Sequence, residues 1–288
     1  MNANPLGRRP ERLLISAGAR TDVGRRRSVN EDSLLAEFPV FLVADGMGGH
    51  EAGDRASAAV VEAFRPLVGR EDLVPADVVR AIARAHELVH EISAGTDRGA
   101  GSTVTGVVVV QQDGTRRWLV FNLGDSRVYR LLGDELEQLT VDHSVAQELV
   151  DQGRLRREEM ASYEGRNVIT RAVGADQSDA DYWLMPIVTG ERILICSDGL
   201  TGEVADAALR AGLALSGATQ QTADVLVDQA VRNGGRDNVS VVVLDVVSGG
   251  GDPDLDHETG SVFGEAAGLA DELEATTRTA VGRRPRGR

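Results

Sequence analysis

The spacing of apolar residues changes along the chain and predicts both helices and strands. Between residues 75 and 92, apolar side chains recur at intervals of three and four, which is typical of an amphipathic helix. Further helices are predicted from Asp54 to Phe64 and over residues 223–231. Short runs rich in Val, Ile and Leu predict strands, among them "RLLISAG", "FPVFLVAD", "ILIC" and "NVSVVVLDVV".

The segment from 102 to 140 contains four strand-like runs, separated only by "DGT", "GDS" and "GDE". Gaps this short join antiparallel neighbours, because a parallel crossover needs about a dozen residues, so one antiparallel meander is predicted. Several strands are apolar at consecutive positions, as in "WLVF" and "VVVL". Such strands are covered on both faces. We therefore expect an α+β fold in which two antiparallel sheets pack together with helices outside.

Composition divides the chain into one folded domain over residues 1–247, with a short basic N-terminal arm, and a flexible tail over 248–288. The tail starts with the Gly- and Asp-rich linker "GGGDPDLDHETG". It contains Thr276, Thr277 and Thr279, which a partner kinase is predicted to phosphorylate. Within the domain, the polar segment 144–162 has helical turns and is predicted to form a mobile flap.

Charge and cysteine content exclude several classes of protein. The net charge of −14 argues against nucleic acid as the main ligand. Cys196 is the one cysteine, so no intrachain disulfide forms, which fits a reducing cytoplasm. Because no segment resembles a signal peptide or the roughly 20 apolar residues of a membrane helix, we expect a cytoplasmic protein without a membrane partner.

The segment "VFLVADGMGGHEAG" places Asp45 where a strand meets a glycine-rich turn. One interpretation is structural, because Asp-Gly pairs are common in tight turns. A dinucleotide-binding turn is the alternative, but the spacing from Gly46 is G-x-G-G rather than G-x-G-x-x-G. The Asp45 carboxylate would also repel a pyrophosphate unless a metal ion lay between them. A P-loop is excluded because no lysine follows the glycines.

The same arrangement of an acid at a strand end recurs along the chain. Asp198 follows "ILICS", Asp237 precedes the last strand, and Asp125 lies in a short turn. Glu31 and Asp32 come just before the strand that holds Asp45. Each has an ordinary alternative: a hairpin or Asx turn for Asp125 and Asp237, and a solvated pair for Glu31 and Asp32.

If these six acids converge, only hard cations can keep them ionised together. Such cations take oxygen ligands, and a glycine after the aspartate lets a backbone carbonyl approach. Magnesium and manganese therefore fit better than zinc. Two such ions about 3.5–4 Å apart are a known arrangement for phosphoryl transfer.

Eight ordered motifs resemble the metal-dependent protein phosphatases of type 2C, the PPM family, in their bacterial form. The likeness extends over residues 13–247 and is carried by "RSVNED", "VADGMGGHEAG", "GSTVTGVVV", "NLGDSRVYR", "LTVDHS", "NVITRAVG", "ILICSDGLT" and "GGRDNVSVVVL". The resemblance implies a four-layer sandwich of two packed antiparallel β-sheets flanked by pairs of α-helices. It also implies a phosphatase that hydrolyses phosphoserine and phosphothreonine on proteins, with two or three Mn²⁺ or Mg²⁺ ions per chain.

The resemblance assigns a role to each candidate site residue. Asp45 would bridge two ions, with the carbonyl of Gly46 on one of them. Asp198 and Asp237 would hold the other ion, and Asp125 with Asp198 a third, weaker one. Glu31 and Asp32 would be ligands or acceptors for metal-bound water. Arg27 would bind the substrate phosphate, unless it belongs to a solvated basic run with Arg25 and Arg26. The catalytic residues expected are Arg27, Asp45 and Asp198.

The mechanism implied by the resemblance is in-line attack of a bridging hydroxide on phosphorus, without a phosphoenzyme. Met47 replaces a histidine that many eukaryotic relatives have, so the resemblance names no general acid, and we interpret His50 and His143 as structural. Phosphorylated proteins are the expected partners, with serine/threonine kinases and their substrates among them, and a monomer is expected. The alternative is a non-catalytic binding module of the same fold. It is disfavoured because Asp45, Asp198 and Asp237 are all present.

Overall fold

The computed structural model describes residues 12–48, 52–97, 99–176, 178–215 and 217–252. Its strands are β1 (Leu14–Asp22), β2 (Asp32–Glu37), β3 (Val40–Gly48), β4 (Ala100–Ser102), β5 (Val104–Gln112), β6 (Thr115–Leu123), β7 (Arg127–Leu132), β8 (Glu135–Gln138), β9 (Asp181–Pro186), β10 (Arg192–Cys196) and β11 (Val239–Ser248). Its α-helices are α1 (Ala52–Phe64), α2 (Pro75–Ala94), α3 (Val145–Asp151), α4 (Asp198–Thr201), α5 (Asp206–Leu215) and α6 (Thr219–Asn233). Short 3₁₀ helices occur at Arg65–Leu67 and Arg157–Ser162.

The strands form two antiparallel sheets. One has the order β1-β11-β10-β7-β8, and the other has the order β2-β3-β5-β6-β9 with β4 paired to β3. Helices α1 and α2 pack on the outer face of the β3 sheet, and α5 and α6 pack on the outer face of the β11 sheet. A third apolar cluster fills the space between the sheets. The α+β four-layer sandwich predicted from the sequence is therefore confirmed.

The alternation of side chains along each strand explains the consecutive apolar residues. In β3, Leu42 and Ala44 contact the helical layer, whereas Phe41 and Val43 point into the middle of the sandwich. Side chains of a strand alternate between the two faces of its sheet, so a strand with both faces covered is apolar at every position. The prediction that both faces of these strands are covered is confirmed.

The helix predictions also agree with the structure. Val78, Ile82, Ala85 and Val89 of α2 are fully or almost fully buried, as their spacing indicated. In α6, the apolar face predicted from four residues is buried against the β11 sheet, through Ala223, Leu226, Val227 and Ala230. None of the helices within the described ranges is long and apolar enough to cross a bilayer.

The prediction of one meander over residues 102–140 is wrong. Strands β5 and β6 form a hairpin in one sheet, whereas β7 and β8 form a hairpin in the other. The turn between Leu123 and Arg127 carries the chain across the sandwich instead of reversing it within a sheet. Gly124 has a φ of 122°, which an L side chain rarely adopts. A short gap therefore does not by itself place two strands in the same sheet.

Several elements of the structure were not predicted from the sequence. The segment before Phe38 forms β2, so Asp32 is the first residue of a strand rather than part of the loop before one. Strand β9 and helix α5 were not predicted: β9 is half-buried along its whole length, and α5 contains a central glycine that weakens its helical signal. The helical turns predicted within 144–162 are present as α3 and the second 3₁₀ helix.

The proposed domain boundary falls close to the end of the last strand. Strand β11 continues through Ser248, one residue into the predicted tail, and Gly251 still bonds to Ile187 and Thr189. The remainder of the tail, with Thr276, Thr277 and Thr279, and the N-terminal arm up to residue 11 lie outside the described residues.

Candidate functional site

Asp45 is held by its backbone, so that its carboxylate is left for other partners. The Asp45 N–H donates to Thr103 Oγ1 at 3.0 Å. The Asp45 carbonyl accepts from the Thr103 N–H at 2.8 Å and from Ser102 Oγ at 3.1 Å. These bonds join β3 to the segment between β4 and β5. They fix the position of the acid without neutralising it.

Gly46 lies where no side chain fits. A Cβ at this position would come within 2.0 Å of the Gly53 carbonyl oxygen and 2.6 Å of the Glu31 carbonyl oxygen. The Gly46 N–H donates to that Glu31 carbonyl at 3.1 Å. Glycine is therefore required for close packing of β3 against α1 and the loop before β2.

Asp32 lies directly opposite Asp45 in the β2–β3 ladder. One of its carboxylate oxygens accepts from Ser197 Oγ at 2.8 Å, and the other is buried without a hydrogen-bond partner. Burial raises the pKa of Asp32 to about 7, against the lowering effect of Ser240 and Ser197. The neighbouring Glu31 is half-buried, and burial raises its pKa as well.

Asp198 lies at the start of α4, directly after β10. The next residue, Gly199, packs so tightly that a Cβ would lie 1.9 Å from the Asn238 carbonyl oxygen. Burial and the charge of Asp237 raise the pKa of Asp198 to about 6, and the neighbouring Asp45 opposes that rise. The Oδ1 atom of Asp198 is buried without a partner. Two carboxylates at such range are stable only if a proton or a cation lies between them.

Asp237 precedes β11 and contacts Arg27. The Arg27 guanidinium donates to the Asp237 carboxylate at 2.8 Å, and the Arg27 side chain remains half-exposed. The guanidinium lies near the other acids too, since the charges of Glu31 and Asp45 act on it. The sequence-predicted phosphate-binding residue therefore lies beside the predicted ligands.

Asn238 joins two segments on this side of the site, and it was not identified from the sequence. Its side-chain oxygen accepts from the Glu31 N–H at 2.9 Å. Its amide nitrogen donates to the carbonyls of Val23 and Val29 at 3.0 Å each. It thus ties the loop that contains Arg27 and Glu31 to the start of β11. An amide side chain directly after a candidate ligand was the one signal that could have found it.

Asp125 lies in the turn that crosses between the sheets. The Gly124 N–H donates to Nδ1 of the buried His143 at 3.1 Å, and the His143 N–H donates to the Gly124 carbonyl at 2.8 Å. His143 Nε2 contacts the Asp181 carboxylate at 3.1 Å. These bonds agree with a structural role for His143. Burial and the charges of Asp198 and Asp142 raise the pKa of Asp125 to about 8.

The structure thus brings together the six acids that the sequence singled out, which we call the cleft acids: Glu31, Asp32, Asp45, Asp125, Asp198 and Asp237. Asp45 lies at their centre. Its pKa is raised well above the usual value by burial and then by the charges of Asp32, Asp198, Asp125 and Asp237. The charges of four other aspartates thus act on Asp45, which is what acids distant in sequence would do if they met in one cleft.

The donor set fits hard divalent cations. Two buried carboxylate oxygens, Asp32 Oδ1 and Asp198 Oδ1, have no donor, and the acids around them are mutually repulsive. Across the described part of the chain, no three His, Cys, Asp or Glu side chains form a ready ligand cage. Mg²⁺-type ions keep several waters and use one or two carboxylates each, so a full protein cage is not required.

Of three other residues named from the sequence, Met47 and Cys196 supply neither a proton nor a nucleophile to the site. Met47 is half-buried at the end of β3, and its thioether has no proton to donate. His50 lies outside the described residues. Cys196 is fully buried, and burial raises the pKa of its thiol to about 12, which argues against a cysteine nucleophile.

Comparison of the sequence with known proteins identifies relatives over most of the chain. Serine/threonine protein phosphatase PstP of Mycobacterium tuberculosis is 36% identical over 275 residues, which cover 94% of this chain and 52% of PstP. The chain therefore spans about half the length of that relative. The serine/threonine phosphatase stp of Listeria innocua is 32% identical over 248 residues, which cover 80% of this chain and 96% of the relative.

Solved structures agree with the sequence comparison. A crystal structure of the M. tuberculosis phosphatase superposes with a TM-score of 0.76 and 34% identity, over 81% of this chain and 99% of that one. The PstP catalytic domain in complex with two manganese ions gives a TM-score of 0.74 and 34% identity, over 82% and 100% of the two chains. The sequence model of the protein phosphatase 2C family matches residues 24–233. The chain therefore belongs to the protein phosphatase 2C family.

Proposed function

We propose that this chain is a metal-dependent protein phosphatase that hydrolyses phosphoserine and phosphothreonine on proteins. The observation that carries the proposal is the group of cleft acids: half-buried or buried carboxylates that repel one another, with two buried oxygens to which no described residue donates. Acids in this state are suited to binding cations, and family membership supplies the chemistry that such cations serve. The relatives named above are serine/threonine phosphatases, and one related catalytic domain contains two manganese ions.

In this proposal the cleft acids divide between cation sites. Asp45 and the Gly46 carbonyl would hold one ion, and Asp45 would share the second with Asp198 and Asp237. Asp125, with Asp198, would contribute to a third and weaker site. Bound Mn²⁺ or Mg²⁺ would supply a water of lowered pKa and would neutralise charge on the phosphoryl group.

Glu31 and Asp32 would orient water rather than touch the substrate. Asp32 is buried between the sheets, and Ser197 Oγ donates to one of its oxygens. Ser197 in turn accepts from the Ser240 N–H at 3.0 Å. The free oxygen of Asp32 therefore has a fixed direction, which suits an acceptor for an ordered water.

Arg27 would bind the phosphate. Its side chain is half-exposed, and among the described residues its hydrogen-bond partner is Asp237, which engages Nη2. A guanidinium presents five N–H donors in a fixed plane, so it can keep this contact and still hold two phosphate oxygens. The bond to Asp237 aligns Arg27 with the cation site.

The proposal extends to partners and location. Phosphorylated proteins, including serine/threonine kinases and their substrates, are the proposed partners of a monomeric enzyme that acts in the cytoplasm as part of a signalling system. The catalytic domain would comprise residues 1–247 and the tail residues 248–288. The net charge of −14 supports a protein rather than a nucleic-acid partner.

The proposal is tested with the purified chain and a phosphothreonine peptide. We expect hydrolysis with Mn²⁺, complete loss after chelation by EDTA, and recovery when Mn²⁺ is restored. A phosphotyrosine peptide of the same sequence is the control and should be a poor substrate. Absence of turnover despite measured Mn²⁺ binding would favour the second candidate, a non-catalytic module of the same fold, whereas turnover that survives EDTA would contradict both.

A further inference from the structure

Asp198 and Asp237, which the proposed function places on the same cation, lie on separate segments. Asp198 starts α4, and Asp237 ends the loop between α6 and β11. On one side the two segments are in contact where Gly199 packs against the Asn238 carbonyl. The distance between the two carboxylates therefore depends on how firmly the segments are joined on the other side.

An ion pair joins them there. Arg236, the residue before Asp237, donates from Nε to Glu203 Oε1 at 2.7 Å and from Nη2 to Glu203 Oε2 at 3.2 Å. Its backbone N–H also donates to Glu203 Oε1, and Nη2 donates to the Gly202 carbonyl at 3.1 Å. We call this the Glu203–Arg236 clamp. The planar guanidinium matches the carboxylate at two points, so the pair fixes direction as well as distance.

The surroundings of Glu203 show that the clamp is built into the fold. The Glu203 side chain is only 6% exposed, although Arg236 is 63% exposed. A Cβ at Gly234 would lie 2.7 Å from both carboxylate oxygens, so the loop approaches Glu203 as closely as a bare backbone allows. Asn233 Nδ2 donates to the Glu203 carbonyl at 2.8 Å and adds a further link.

The same loop supports Arg27. The Arg25 N–H donates to the Gly235 carbonyl at 2.7 Å, and a Cβ at Gly24 would lie 2.2 Å from the Asp237 carbonyl oxygen. The loop from 233 to 238 thus connects α4 on one side to the Arg27 segment on the other. A shift of this loop would move Asp237 relative to both Asp198 and Arg27.

We infer that the Glu203–Arg236 clamp is a positioning pair that sets the separation of Asp198 and Asp237 and thereby the affinity of the chain for Mn²⁺. Neither residue is a proposed cation ligand, because both carboxylate oxygens of Glu203 accept from Arg236 and a guanidinium has no acceptor atom. The inference rests on the proposed function, because it assumes that these two aspartates share an ion. Partners that orient metal ligands typically change metal affinity by roughly 10- to 100-fold when removed.

The test is calorimetric titration of Mn²⁺ into metal-free protein, which does not depend on turnover. We expect Glu203→Gln to raise the Kd for Mn²⁺ about 10-fold, and Arg236→Lys, which keeps the charge but loses the two-point contact, to raise it less. Because the two residues act as a unit, the Kd for Mn²⁺ of the double variant should be only slightly higher than that of Glu203→Gln alone. The turnover number at saturating Mn²⁺ should return close to the wild-type value.

The matched control is Glu137→Gln. Glu137 pairs with Arg130 at 2.8 Å across β7 and β8, away from the cleft acids, so the Kd for Mn²⁺ should not change. If Glu203→Gln fails to fold, the Kd for Mn²⁺ of Arg236→Lys, which changes the exposed end of the pair, still tests the inference. Wild-type Kd values in both clamp variants would overturn the inference and leave the proposed function intact. Failure of the wild-type chain to bind Mn²⁺ would overturn both.

Discussion

Asp32 in the cleft and Asp77 in α2 are buried to the same degree but have opposite surroundings. Asp32 is 8% exposed and Asp77 is 7% exposed. Asp77 accepts from Arg80 at 2.6 Å, from Arg70 at 3.3 Å and from the Val74 N–H at 2.8 Å. Among the described residues, Asp32 has serine hydroxyls but no cationic side chain as partners, and it faces other carboxylates. Burial alone therefore does not distinguish Asp32 from Asp77, whereas the charge of their neighbours does.

The largest effect is expected from Asp45→Asn. Loss of the central carboxylate should lower kcat/KM for a phosphothreonine peptide on the order of 10³-fold, because metal ions supply several kcal/mol of transition-state stabilisation. In EDTA the same variant should melt at a higher temperature than wild type, because asparagine avoids the cost of either charging or protonating Asp45 among the other acids. Steady-state kinetics and calorimetry measure the two effects. A variant that kept near wild-type turnover would remove Asp45 from the cation site.

The pH dependence of the metal-free protein is the next largest effect. Asp32, Asp125 and Asp198 have pKa values of about 7, about 8 and about 6, whereas an unfolded aspartate titrates near about 3.9. The folded state therefore binds more protons than the unfolded state between about pH 4 and about pH 8. The free energy of unfolding should fall as the pH rises through this range.

Thermal unfolding between pH 5 and pH 8 measures this dependence, with EDTA in one series and Mn²⁺ in the other. Cations neutralise the cleft acids, so the free energy of unfolding should fall much less with rising pH when Mn²⁺ is present. Identical curves in the two series would show that the raised pKa values of these acids are unrelated to cation binding.

The smallest effect is expected from Asp77→Asn, the counterpart of the Asp45 variant. It should lower the free energy of unfolding by about 1 kcal/mol, because charge-assisted hydrogen bonds are replaced by neutral ones. That corresponds to about 2–4 °C in Tm for a domain of this size. The kcat/KM should not change. Opposite shifts of Tm for Asp45→Asn and Asp77→Asn in EDTA would support the distinction between acids that face carboxylates and acids that face arginines, and equal shifts would contradict it.

The sequence was informative wherever one local pattern decides the structure. The spacing of apolar residues predicts which face of α2 is buried. The consecutive apolar residues of β3 predict that both faces of this strand are covered. The cleft acids could be named because each follows or precedes an apolar run. Their convergence was inferable from their position at strand ends, together with the family resemblance.

Other features depend on contacts that no local pattern contains. Whether β6 and β7 share a sheet is decided by the turn at Gly124 and by strands that come later in the chain. The supports of the site are equally remote in sequence: Thr103 holds Asp45, and Asn238 holds the loop of Glu31. These polar side chains look like ordinary strand or loop residues until the fold brings them to their partners.

The position of the cleft acids across the sandwich has a consequence for stability. Asp45 belongs to the β3 sheet, whereas Asp198 and Asp237 lie just beyond the ends of β10 and β11 in the opposite sheet. Cations shared among these three residues would fasten the two layers together at one rim. By mass action, each tenfold rise in free Mn²⁺ above its Kd would then add about 1.4 kcal/mol to the free energy of unfolding. The concentration of free Mn²⁺ would in this way set the stability of the folded chain as well as its rate of hydrolysis.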